Sequence, residues 1–175
     1  MNICFFTINF EGNIIYPTDR LKKSIEKFYP NTPFIVYKKE EIKKLNDPLF
    51  STRATASCVF ALMKECDTVI KIKHNFELLS KIDEFIEGNY SAVVVKNLFN
   101  EQKLIWDINP IAYLTTDFII IKSKDYAVQW LDMSCLDNMK KYKNKEEDKL
   151  NILTYYGDMT VKILDKKDLE EKIKI

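Results

Sequence analysis

A chain of 175 residues is the right size for one domain with one core, and a composition 46% hydrophobic and 30% charged is that of a globular protein, not of a disordered, collagenous or coiled-coil one. Lys and Arg number 27 against 26 Asp and Glu, a formal charge of +1, so there is no general basic surplus of the kind nucleic acid attracts. No run approaches the roughly 20 apolar residues that cross a bilayer, and "MNICFFTINFEG" lacks the basic start and small-residue cleavage site of a signal peptide; a cytoplasmic protein without integral membrane contact is expected.

Along the chain, short apolar runs alternate with amphipathic stretches. Asn2 to Asn9 reads as a first strand, and Pro17 to Tyr29 as a helix capped by Thr18 or Asp19, with Leu21, Ile25 and Phe28 on one face. "YPNTP" stops that helix, and Phe34 to Tyr37 is a second strand. After the charged "KKEEIKKLNDP", a helix is expected over Thr52 to Lys64, with Ser51 as its cap. Thr68 to Ile72 is a third strand that ends in Lys73, His74 and Asn75, His74 being the one histidine of the chain. Ala92 to Lys96 and Phe118 to Lys122 read as strands, Asp125 to Met133 and Glu146 to Tyr155 as helices, and Val161 to Leu164 as a last strand. "DKKDLEEKIKI" closes the chain, with residues 166–175 a helix or a fraying tail. This alternation predicts a single α/β domain over residues 1–175, layered on a sheet with parallel strands at its centre.

Several chemistries are excluded. Three glycines, Gly12, Gly88 and Gly157, allow neither GxGxxG nor GxxxxGK[ST], and GxSxG is also missing. Cys4, Cys58, Cys66 and Cys135 form no CxxC pair and are read as buried thiols, without a zinc site or a disulfide framework. In open α/β sheets, ligands lie beyond the carboxyl ends of the strands. That rule selects Thr7, Asn9 and Phe10 after the first strand, Lys73, His74 and Asn75 after the third, and Lys96 and Asn97 after the fourth.

Five stretches carry a resemblance. "YPTDRLKKSIEKFYPNTPFIVY", "DTVIKIKHNFELLSKIDEF", "YLTTDFIIIKSKDYAVQWL", "EEDKLNIL" and "VKILD" follow one another in the order of parts of the GT-A nucleotide-sugar glycosyltransferases. Within that fold the chain resembles the glycogenin-like and lipopolysaccharide-type enzymes of family 8, over nearly its whole length. The resemblance implies an α/β/α sandwich with a mixed, mainly parallel central sheet. It also implies a nucleotide-sugar donor, UDP-sugar above all, and a glycan or other acceptor.

The departure falls at the end of the third strand. There the family has Asp-x-Asp, whose carboxylates hold Mn²⁺ or Mg²⁺ against the donor diphosphate, and this chain has Lys73-His74-Asn75. The family's late metal-binding histidine has no equivalent either, so no divalent cofactor is expected. By resemblance, Lys73 steadies the departing diphosphate with help from Arg53, and His74 hydrogen-bonds a phosphate or the sugar. Thr7 and Asn9 lie near base and ribose, and Thr116 and Asp117 near donor sugar or acceptor. If transfer inverts the anomeric centre, Asp117 or Asp148 is the base. Glu146, Glu147 and Asp148 also suit a helix N-terminus, where the dipole favours acids. Trp106, in "KLIWDINP", faces an acceptor sugar or closes the core. Two functions follow: metal-independent glycosyl transfer, or an inactive domain that keeps the fold and binds a nucleotide, a glycan or a protein.

Overall fold

A computed structural model of the chain describes residues 2–10, 15–45, 50–97, 112–133 and 145–175; Trp106, Cys135 and the Asn97–Asn109 loop beyond its first residue lie outside them. The first strand, β1 (Ile3–Ile8), is followed by α1 (Ile15–Phe28), β2 (Phe34–Tyr37), α2 (Lys39–Lys43) and α3 (Phe50–Leu62). Then come β3 (Thr68–Ile72), β4 (Glu77–Leu78), α4 (Asp83–Ile86), β5 (Ala92–Lys96) and β6 (Leu114–Ile121). The chain closes with α5 (Lys124–Met133), α6 (Lys145–Tyr156), β7 (Val161–Leu164), α7 (Lys166–Glu170) and β8 (Ile173–Lys174).

Six strands form one sheet in the order β2-β1-β3-β6-β5-β7. β1 pairs in parallel with β2 and β3, and β5 with β7, whereas β6 is antiparallel to both its neighbours. The expected mixed α/β sheet is therefore the one observed, with β6 the one reversed strand among the described residues. Alternation along the strands divides the core in two. Phe6, Val69, Val94 and Ile119 face α3, α5 and α6, while Phe5, Ile70, Val93 and Ile120 pack with Leu21 and Ile25 of α1 and Phe85 of α4. β3 is buried along its whole length.

Two expectations are corrected. Of the two alternatives expected for residues 166–175, the helix holds over α7 and the fraying tail does not: α7 is followed by β8, which pairs antiparallel with β4, and Leu169 and Ile173 are fully buried in the α1-side core. The charged letters around them had hidden two apolar anchors. The cysteines are not all thiols: Cys4 of β1 is disulfide-bonded to Cys66, just past α3, across a sequence separation of 62. No spacing rule joins such distant positions; the parallel pairing of β1 with β3 brings them together, since Asp67 and Thr68 both donate to Asn2 C=O. Cys58 is a buried thiol, which burial makes hard to ionise. No helix among the described residues is long and apolar enough to cross a membrane.

Replacing Ile173 with Ala is expected to cost about 2–3 kcal/mol, the range for truncating a fully buried aliphatic side chain. Urea unfolding measures it, and a loss within about 0.5 kcal/mol, as for an exposed surface position, would restore the fraying tail.

Candidate functional site

β3 reads Thr-Val-Ile-Lys-Ile, so its period of two turns Val69 and Lys71 to the same face, beneath α3 and α6. Lys71 is thus a lysine in the middle of a buried strand, paired in register with Phe6 of β1 and Ile119 of β6. Its Nζ donates to Thr55 Oγ1 at 3.1 Å. Burial pushes its ammonium below the usual range, opposed by the carboxylates of Glu146, Asp117 and Glu147. Burial likewise pushes Glu146 above the usual carboxylate range, opposed by Lys71 and by hydrogen bonds from Thr55 and Ala56. Each group thereby offsets part of the other's desolvation.

Glu146 also serves a helix, but not its own. Arg53 leaves helical geometry inside α3 (φ −150°, ψ 36°), so the helix begins afresh just beyond it. The Ala56 N–H of that new first turn donates to Glu146 Oε1 at 3.1 Å, a negative charge supplied where orphan donors and the dipole want one. The other two acids of α6 also reach away from their own helix end. Glu147 Oε1 accepts from Thr115 Oγ1 (3.0 Å), Thr116 N–H (3.0 Å) and Thr116 Oγ1 (3.2 Å). Asp148 Oδ1 accepts from the buried Tyr113 hydroxyl at 2.9 Å. Asn151, one turn on, exchanges hydrogen bonds with both backbone groups of Leu114, at 2.8 and 2.9 Å. The polar start of β6 is thereby fixed to α6, which is why that strand begins at Leu114 and not at Phe118.

Lys73, the first residue past β3, takes part in the same arrangement. Its backbone N–H donates to Asp117 C=O at 2.8 Å, continuing the β3–β6 ladder. Its Nζ lies 3.1 Å from Asp117 Oδ1 and 3.2 Å from Oδ2, and the two side chains are 32% and 17% exposed. The Asp117 N–H in turn donates to Thr115 Oγ1 at 3.2 Å. Lys71, Lys73, Asp117, Thr116 and the acids of α6 thus form one polar cluster, running from beneath the sheet to the carboxyl end of β3.

Other selected residues lie apart. Alternation with Phe5 puts Thr7 on the α1 side, fully buried, with no partner for its hydroxyl among the described residues. Asn9 is on that side too, its Nδ2 donating to Thr18 Oγ1 at 3.2 Å near the start of α1. Phe10, one residue further on, is exposed, and Lys96 pairs with Asp165. Arg53 is buried and donates to Leu131 C=O of α5 at 3.4 Å. His74 is half-buried and Asn75 exposed, in the turn that Phe76 N–H closes on Lys73 C=O. Lys71, Tyr113, Glu147 and Asn151 were missed as site residues. Only Lys71 carried a sequence signal, a lysine inside an apolar run.

A hard divalent ion needs several oxygen ligands. The end of β3 offers an ammonium at Lys73, a neutral amide at Asn75, and in Asp117 a carboxylate already engaged by Lys73. That donor set does not fit such an ion.

No protein-family model matches the sequence, and no curated protein does. Solved structures do share the fold. The galactosyltransferase LgtC, crystallised with donor and acceptor sugar analogues, matches with a TM-score of 0.59 and 16% identity, over 93% of this chain and 73% of its own. A glycosyltransferase involved in glycosylating the major capsid of PBCV-1 matches at 0.57 and 9% identity, over 94% and 82%. The glycosyltransferase GlyE of Streptococcus pneumoniae matches at 0.62 and 10% identity, over 92% of this chain but 45% of its own. The shared feature is the GT-A glycosyltransferase fold.

Two outcomes follow from the burial pattern. Lys71→Met is expected to cost about 3 kcal/mol in urea unfolding, because it leaves buried acids without their cation, and Lys73→Met about 1 kcal/mol, as for a part-exposed pair. Stability is also expected to fall above pH 10.5. Burial pushes the Tyr37 hydroxyl from 10.0 up to about 12 and raises those of Tyr29, Tyr113 and Tyr126 as well. The folded state therefore holds protons that the unfolded chain gives up, and this stability, complete below pH 10, is lost as pH rises through the folded values. Lys71 acts in the opposite sense, its folded value being lowered, but that effect ends once the unfolded lysine has titrated near 10.5. Thermal melts from pH 9 to 12 check the decline.

Proposed function

We propose that this chain binds a nucleotide sugar at the carboxyl ends of β1 and β3 and transfers the sugar to a glycan or other acceptor, with Lys73 in the electrostatic role of a divalent ion. The observation that carries the proposal is a half-buried ammonium directly past β3, held by Asp117 on a fold shared with glycosyltransferases. As the bond between the sugar's anomeric carbon and the diphosphate oxygen breaks, its electron pair passes to that oxygen. A cation already in place stabilises this developing charge more than it stabilises the intact donor. At about 4 Å and an effective dielectric near 20, one unit pair is worth roughly 4 kcal/mol.

The acceptor oxygen forms the new bond to the anomeric carbon and must lose its proton. Asp117, beside Lys73, and Asp148, held by Tyr113, are the carboxylates proposed to take it. Thr116, tied to Glu147, lines the same edge of the sheet. His74 and Asn75, with no partners among the described residues, are available to a phosphate or to the sugar. Thr7, with its buried hydroxyl, and Asn9, on the α1 side, are the residues proposed to lie near base and ribose. Arg53, which donates to Leu131 C=O from the restart of α3, is the residue proposed to help Lys73 at the diphosphate.

A second reading, a module that binds nucleotide, glycan or protein without transfer, has its own support. Asp117, Glu147 and Asp148 already hold hydrogen-bond donors of this chain, as structural acids do.

Thermal melts with UDP-sugars, with Mn²⁺ and with EDTA, test the proposal. Ligand at about 100 times its Kd adds roughly 2.7 kcal/mol, about 5–10 °C for a chain of this size. A shift with UDP-sugar that persists in EDTA is expected, and Lys73→Ala is expected to shrink the shift given by UDP, the leaving diphosphate. No shift with any nucleotide sugar would sink the proposal, and a shift abolished by EDTA would remove Lys73 from its role. Sugar release or transfer in a product assay separates the enzyme from the binding module.

A further inference from the structure

Lys73 meets both oxygens of one carboxylate, at 3.1 and 3.2 Å, as it would meet two oxygens of a phosphate. The two partners are unequally fixed. Asp117 sits on β6, its N–H bonded to Thr115, whose hydroxyl is bonded to Glu147, and it lies within electrostatic reach of the buried Lys71. Lys73 has a long flexible stem at a strand end, 32% exposed. Its ammonium is therefore the partner that can exchange one anion for another.

We propose that Asp117 is a positioning and specificity-determining residue: it holds Lys73 in the empty and donor-bound site, and yields it only to an anion more highly charged than the intact donor. This rests on the role of Lys73 proposed above. In a nucleotide sugar each phosphate of the bridged diphosphate carries about one charge, the same as the Asp117 carboxylate, so exchange gains little. When the sugar leaves, the bond's electron pair stays on the terminal phosphate oxygen, whose charge approaches two, and exchange becomes favourable. Asp117 thus keeps Lys73 from strengthening donor binding and reserves it for the leaving diphosphate, so the interaction is concentrated in the transition state.

The test compares the affinities of UDP and UDP-galactose, with GDP and GDP-mannose as a second pair, by calorimetry on the whole chain. Wild type is expected to bind the diphosphate at least about tenfold more tightly than the corresponding sugar ester. Asp117→Asn keeps the shape and removes the charge. It is expected to tighten the sugar ester about tenfold and the diphosphate about twofold, narrowing the ratio. Lys73→Met is expected to abolish the discrimination by weakening the diphosphate. A merely structural role for Asp117 would move both affinities together, and an unchanged ratio in Asp117→Asn, with melting intact, overturns the inference. Asp117→Ser serves if the amide does not fold. Equal affinities in the wild type overturn the inference without any variant. Wild-type binding of diphosphate with no effect of Asp117→Asn leaves the proposed function standing and removes only this step. No binding of either pair to wild type removes both.

Discussion

The site is organised around an ammonium buried under a sheet. Lys71 sits in the middle of β3 with apolar neighbours on both adjoining strands, where an isolated charge would cost far more than hydrophobic packing returns. It is tolerated because three elements bring oxygen to it: Thr55 from α3, Asp117 from β6, and Glu146 and Glu147 from α6. The geometry of those elements follows from that need. α3 departs from helical form at Arg53 and restarts where Glu146 can receive the Ala56 N–H, and β6 opens with Leu114 followed by two threonines held by Glu147.

Depth then separates two lysines that stand two residues apart in the sequence. Lys71 is enclosed, and its attraction to the acids is largely consumed in offsetting desolvation, so its contribution is to hold α3 and α6 on the sheet. Lys73, two residues on and partly exposed, forms a weaker pair with the same Asp117, and a weak pair at the rim can be exchanged for a ligand. One carboxylate thus faces an enclosed cation behind it and a partly exposed one in front. Rigid support on one side lets the other side be tuned.

Much of the sheet was legible because its strands are short apolar runs with polar ends: Phe34–Tyr37, Thr68–Ile72, Ala92–Lys96 and Val161–Leu164 were readable to the residue. β6 was legible only in its apolar half, since Thr115, Thr116 and Asp117 look like a loop until Glu147 and Lys73 satisfy them from elsewhere in the chain. Local pattern cannot show such long-range satisfaction, and the same blindness hid the Cys4–Cys66 bond, the Asn151 bridge to Leu114 and the docking of Ile173. In the candidate site, the rule that places ligands at carboxyl strand ends is what selected the position after β3. The partner of Lys73 was not, because Asp117 lies 44 residues away on a strand whose direction had to be known first. Thr7 and Asn9 were selected by that same rule, which is blind to the face of the sheet on which a side chain emerges.

Charge balance gives the Lys73–Asp117 pair a further meaning on the proposed function. Two carboxylates and a divalent ion, the arrangement implied by the resembled family, sum to zero; one ammonium and one carboxylate also sum to zero. The field in which a neutral acceptor and an anionic donor would meet is therefore similar in sign and overall charge, although the cation differs in kind. A divalent ion is held from several sides and binds phosphate oxygens directly, whereas an ammonium is a single charge on a flexible stem with three rotatable donors. Such a cation cannot clamp a diphosphate as firmly as a metal does, but it can move with the charge as the bond breaks. On the proposed function, what a lysine in place of a carboxylate would give up in ground-state grip, the opposing Asp117 would convert into preference for the more highly charged leaving group.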